Sequence, residues 1–292
     1  MPPNPKNLIL NLLLASDGTP LSAADAVGSC ALFGIRENSV RVALVRLGSA
    51  GMIESAGRGA YRLGPQAAGL AQELSRWRSS ESRVCDWSGA WIMVSTGHLG
   101  RSDRAALRTR QRALALLGFQ ELDSTLHVRP DNLIGHAPAI RERLHKLGLE
   151  AEAPVFAATD LAPELDARAR TLWQGEALSK AYRHTREKLE TWMAHAPELE
   201  PEVAARECYL LGNEAIRQLV FDPLLPEPLV DVAERRAFTD AVVAFDQAGR
   251  NIWGEQLPAA LQARQAQHLA TAKTPRTAKA HDASKGRGPL TH

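Results

Sequence analysis

Residues 33–47, Phe-Gly-Ile-Arg-Glu-Asn-Ser-Val-Arg-Val-Ala-Leu-Val-Arg-Leu, constrain the fold more tightly than any other stretch of the chain. Gly34 supplies the positive-φ freedom that a tight helix-to-helix turn requires. Behind it, Val40, Leu44 and Leu47 recur at i, i+4 and i+7, so the segment predicts a short helix with one apolar face. Arg41 falls on another face, with Asn38, Val42 and Val45 near it and Arg46 at its flank. Donors beside small apolar groups on an open helix face suit contact with phosphates and base edges, while the apolar face holds a small domain together. An ordinary solvated helix could carry the same two arginines, so the adjoining residues decide between the two. Residues 52–63 read as two β-prone pieces around Gly57-Arg58-Gly59, a hairpin signal, with Arg62 just past the tip. Helix, turn, arginine-bearing helix and basic hairpin together predict a winged helix-turn-helix, with Arg58 and Arg62 on the wing.

Upstream, residues 6–15 predict a first helix, and Ser22 is placed to cap a second that runs to Phe33. The apolar run at 8–15 is too short to span a bilayer and Asp17-Gly18 soon follows, so the expectation is a cytoplasmic protein without a membrane segment. Residues 65–77 predict a further helix, and Ser79-Ser80-Glu81-Ser82 a polar linker closing a DNA-binding domain at 1–78.

The pattern changes at residues 87–95, where Trp, Ile and Val cluster with weak alternation, as in a strand buried on both faces. An arginine-rich helix over 100–117, strands at 119–122 and 126–129, a helix at 138–147 and a strand at 153–158 complete a β-α-β-β-α-β order, which predicts a ferredoxin-like middle domain over 84–160. From 161 to 256 the strands vanish, and helices are expected over 162–194, 201–220 and 232–251. The fold class is therefore α+β: winged helix, ferredoxin-like middle and all-helical C-terminal domain. The tail at 271–292 carries basic residues and one large apolar side chain, Leu290, and reads as disordered.

Charge and chemistry narrow the function. The net charge is +2, and residues 1–80 hold eight Lys/Arg against five Asp/Glu, a balance compatible with a few well-placed phosphate contacts. Cys30, Cys85 and Cys208 are dispersed, which suits a reducing compartment and excludes a thiol zinc site. His98, His127, His136 and His145 are too widely spaced for a helical metal pair, so neither metal nor cofactor is expected. A metal-dependent nuclease built on the middle domain would want an acid at the end of its first strand; Ser95-Thr96 stands there, and Asp103 is accounted for as a helix cap. The stripe Arg101, Arg104, Arg108 and Arg112 reads as a solvated face, or else as a contact for DNA or an anionic ligand. Arg206 and Arg217, with Tyr182, Trp173 and Trp192, could line an effector pocket; ordinary helix packing is the competing explanation for each.

These segments, in order, resemble the phenylacetic-acid catabolism repressors, the PaaX-type regulators. The resemblance is carried by Phe33-Gly34-Ile35 with Val40-Arg41 and Arg46-Leu47, by Trp87-Ser88-Gly89-Ala90-Trp91, by Gly118-Phe119 with Val128-Arg129-Pro130-Asp131-Asn132, and by Phe221-Asp222-Pro223-Leu224-Leu225-Pro226. It implies a dimeric regulator, not an enzyme, that binds an inverted-repeat operator in double-stranded DNA and is released by an aryl-CoA thioester. Where the family commonly runs into Trp-Pro-Gly, this chain has Leu229-Val230-Asp231-Val232, so the regulatory logic transfers more firmly than the inducer. The rival functions are the nuclease and a scaffold that binds protein instead of DNA.

Overall fold

The computed structural model describes residues 3–16, 18–67 and 76–256. The tail expected to be disordered, and residues 68–75 of the helix expected over 65–77, lie outside the described residues. The fold is mixed α and β, with two antiparallel sheets and a helical C-terminal region.

The first unit contains α1 (Pro5–Ala15), α2 (Ala23–Ala31) and α3 (Glu37–Ser49). The Ser22 hydroxyl accepts from the Asp25 N–H and so starts α2 at the cap that the sequence predicts. Gly34, at φ +71°, makes the turn into α3. A hairpin of β2 (Ile53–Ser55) and β3 (Ala60–Leu63) follows, and β1 (Leu21–Ser22) adds to its other edge in the order β1-β3-β2. Sequence reading misses β1, a two-residue strand too short for any periodicity. Leu8, Ile9, Cys30, Val40, Leu44, Leu47 and Ile53 fill the core of this unit.

The second unit runs β4 (Trp91–Ser95), α4 (Arg104–Leu116), β5 (Gln120–Asp123), β6 (Leu126–Pro130), α5 (His136–Lys146) and β7 (Val155–Ala158). The strands pair antiparallel in the order β5-β6-β4-β7. Strand β4 is buried on both faces: Ile92 and Val94 pack with α4 and α5, whereas Trp91 and Met93 join the core of the C-terminal helices. Asp103 caps α4 through the N–H groups of Ala105 and Ala106, which accounts for that acid.

The third unit comprises α6 (Pro163–Arg170), α7 (Gly175–His195), α8 (Pro201–Val220) and α9 (Val232–Asn251). The single helix expected over 162–194 is two helices. Between them Trp173 turns into the core, and Gly175 lies so close to the Leu229 carbonyl that a Cβ there has no room. The expected polar linker is also packed structure. Two 3₁₀ turns, Arg76–Ser79 and Glu81–Arg83, bury Trp77 and Ser80, and Glu81 holds the buried Arg235 at 2.8 Å. A buried guanidinium needs a counter-charge, and that requirement fixes the segment in place.

Candidate nucleic-acid interface

The buried stripe of α3 is Val40, Ala43, Leu44 and Leu47. It turns Asn38, Arg41, Val42, Val45 and Arg46 to solvent, so all five side chains proposed for recognition are exposed. Val45 is 69% exposed and Val42 41%, a bare apolar area between arginines on a helix whose opposite face supplies the core. Arg41 reaches back to Glu37 at 2.6 Å, and both side chains are more than half exposed. Such a pair is worth only a few tenths of a kcal/mol and gives way readily to a phosphate. Arg36, directly before α3, is exposed as well; it precedes the helical pattern, which is why periodicity passes over it.

Arg58 stands exposed at the hairpin tip between Gly57 (φ +130°) and Gly59 (φ +71°), two conformations that favour glycine. Arg62 is exposed on β3 and pairs with Glu54 across the hairpin at 2.7 Å. Sheet and α3 share one core, so tip and helix are held to a single small body.

The four residues proposed for an effector pocket are not brought together. Trp173 is 5% exposed, stacked on Trp91 with centroids 6.1 Å apart, and its indole N–H donates to the Gly118 carbonyl. Tyr182 is fully buried against Phe238, with centroids 5.6 Å apart. Both are core side chains. Arg206 and Arg217 are exposed, because α8 buries the opposite stripe, Ala204, Ala205, Cys208, Gly212, Ala215 and Leu219. Trp192 is half-buried beside Phe245 and donates to Glu207. The stripe Arg101, Arg104, Arg108 and Arg112 is exposed on and just before α4, while Arg110, which no pattern singles out, is buried and grips Glu150.

Two sequence segments far apart in the chain meet at a joint between sheet and helices. Arg129 donates to the carbonyls of Leu117, Pro130 and Pro223 and to Asn132 Oδ1, and Asn132 Nδ2 donates to the Leu224 carbonyl at 2.6 Å. Gly118, at φ +70°, lies against Pro223, whose Cα would stand 2.6 Å from any Cβ. The strand-end motif and the Asp-Pro-Leu-Leu-Pro run are therefore two halves of one contact.

Among the described residues no group of three or more His, Cys, Asp or Glu side chains is arranged to hold a metal, and no helix is long and apolar enough to cross a membrane. Residues 173–255, which carry α7 to α9, match the family model described as PaaX-like protein C-terminal domain. That match bears out the resemblance read from the sequence. No curated protein matches. Among solved structures, one similar chain is the uncharacterized protein Rv0674 from Mycobacterium tuberculosis, 23% identical with a TM-score of 0.54, over 84% of this chain and 97% of that one. At that identity the likeness carries the fold alone.

Proposed function

We propose that this chain, a PaaX-type protein by its C-terminal domain, is a DNA-binding transcriptional regulator: a dimeric repressor, not an enzyme, released from its operator by a small-molecule effector. The observation that carries the reading is the exposed face of α3, where Asn38, Arg41, Val42, Val45 and Arg46 are all open to solvent while the opposite face builds the core. Arginine forks suit guanine edges and phosphates, and bare valines suit thymine methyl groups. On this reading α1 to α3 and β1 to β3 are a winged helix, α3 enters the major groove and Arg58 with Arg62 reach the adjoining backbone. The order β5-β6-β4-β7 with α4 and α5 on one face supports taking the middle unit as ferredoxin-like, a platform for positioning two winged helices on an inverted repeat.

The test is titration of the protein against its own promoter region at two salt concentrations. Tight binding is expected, weakening steeply between about 50 and 200 mM salt as phosphate contacts release counterions. Arg41→Ala should weaken it roughly tenfold to a hundredfold, with dimerisation unchanged. Equal affinity of Arg41→Ala and wild type removes Arg41 from the interface. Absence of specific binding at either salt rejects the regulator and leaves the scaffold.

A further inference from the structure

Helix α4 (Arg104–Leu116) carries four arginines and no acid along its 13 residues. Arg110, Ala113 and Leu114 form its buried face. Two residues are more than half a turn, so Arg108 and Arg112, on either side of Arg110, project to the solvent side. Arg104, one turn before Arg108, is exposed with them. At about 1.5 Å of rise per residue the three stand about 6 Å apart, along a line about 12 Å long. Arg101, just before the helix, extends that line; it is exposed and donates to the Ser124 carbonyl at 2.8 Å.

Among the described residues, none of Arg104, Arg108 and Arg112 forms an ion pair. The acids that the helix meets are engaged otherwise. Asp103 accepts the N–H groups of Ala105 and Ala106, and Glu150 is held by Arg110 from the buried side. On other helices exposed cations are answered by an acid one turn away: Arg41 by Glu37, Lys146 by Glu142, Lys180 by Glu176 and Arg186 by Glu190. Like charges four residues apart, without such relief, cost helix stability, and an anion laid along the row reverses that cost. The row also leads back to the first unit. Leu116 and Leu117, one turn past Arg112, line a small space together with Arg76 and Trp77, in the 3₁₀ turn that follows that unit.

We propose that the outer face of α4 is a second contact for duplex DNA, in which Arg104, Arg108 and Arg112 hold backbone phosphates beyond the segment met by α3 and read no sequence. A duplex offers a phosphate about every 3.4 Å of axis on each strand, so arginines about 6 Å apart each find an oxygen of their own. Guanidinium forks suit phosphate, and no carboxylate on the helix competes for them. The assignment rests on the reading of the first unit as a DNA-binding head, which brings the duplex within reach.

Fluorescence anisotropy of the full chain with its promoter fragment and with a random-sequence duplex of equal length, over a series of salt concentrations, tests the face. Arg104→Gln/Arg108→Gln/Arg112→Gln should weaken both duplexes by the same factor, roughly tenfold to a hundredfold at about 50 mM salt, and lower the salt slope by about 2 to 3. Promoter selectivity should therefore survive in this variant and fall in Arg41→Ala. Glutamine is close to arginine in helix propensity, so the helix is kept. Should the triple variant not melt as wild type does, Arg108→Gln alone should lower the slope by about 1. Lys146→Gln/Lys180→Gln/Lys188→Gln removes the same charge from exposed, ion-paired positions and should leave the slope unchanged. An unchanged slope in the arginine variants overturns the proposal, and so does an equal fall in the lysine variant. Weakened binding of polyglutamate, with duplex binding unmoved, would make the face a contact for an acidic protein segment and overturn it as well. Promoter selectivity with a slope that the arginines do not move keeps the regulator and rejects the face. A wild type without promoter selectivity, whose random-duplex binding the triple variant loses, keeps the face and rejects the sequence-specific regulator.

Discussion

Asp222 lies at the joint between the sheet and the C-terminal helices, 8% exposed, with Oδ1 accepting the Leu224 N–H at 2.7 Å. Burial pushes its carboxyl up to about 6, against the pull of the Tyr182 phenol, the Leu224 N–H and Arg235. An unfolded aspartate titrates near 3.9. Between about pH 4 and 6 the folded chain thus holds a proton that the unfolded chain has released, and stability falls as pH rises through that window. The difference corresponds to about 3 kcal/mol, present below the unfolded pKa and lost above the folded one. Asp222→Asn keeps an oxygen for the Leu224 N–H and removes the titration. Urea denaturation at a series of pH values should show wild type losing about 2 kcal/mol relative to this variant from pH 4 to 7. Parallel stability profiles for the two proteins would mean that Asp222 is charged throughout.

At the scale of elements, the joint rests on backbone approach as much as on side chains. Gly118 combines φ +70° with a Pro223 Cα that would stand 2.6 Å from a Cβ. Gly118→Ala should therefore cost roughly 2–3 kcal/mol, from a strained backbone and an overpacked contact. Gly148→Ala shares the positive φ (+95°), and its Cβ would instead meet the terminal methyl of Thr109, which can rotate aside; it should cost less. Chemical denaturation compares them, and an equal cost would show that backbone conformation alone matters. The same joint shows what a sequence can and cannot disclose. Helices α8 and α9 are legible to the residue because their apolar faces repeat every turn and Pro201 and Asp231 mark their starts. The solvent face of α3 is legible for the same reason. The bond from Asn132 to Leu224 spans 92 residues, and no local pattern reports a contact of that range. Trp173 and Tyr182 suggest a pocket from sequence because their polar tips invite a ligand, whereas the Trp173 tip serves the Gly118 carbonyl and both rings stack in the core.

For the whole molecule, the first unit is docked on the C-terminal helices by a small contact set. Phe33 meets Tyr209 edge-on with centroids 5.1 Å apart, and Asn11 donates to the Tyr209 hydroxyl at 3.1 Å and to Asn213 at 3.4 Å. Arg250 donates to the Ala15 carbonyl, and Arg78, in the 3₁₀ turn, pairs with Asp246 at 2.9 Å. Tyr209 is the pivot, because its ring joins the core of the first unit while its backbone belongs to α8. Tyr209 against the first core and Leu32 against the C-terminal core tie the two bodies by single apolar side chains beside a few polar contacts, which would let the effector of the proposed function shift one body on the other. Removing the pivot should therefore separate two effects that a purely structural tyrosine would join. Calorimetry is expected to give one transition for wild type and, for Tyr209→Ser, an early one for the first unit and a later one for the rest, since docking no longer couples them. On the proposed function, promoter affinity should drop by roughly tenfold at the same time, because an unanchored first unit pays on binding an ordering entropy that docking otherwise removes beforehand. A lower but still single transition would make Tyr209 an ordinary core residue. Split transitions with undiminished promoter affinity would mean that the first unit finds its DNA site without help from the helices that carry it.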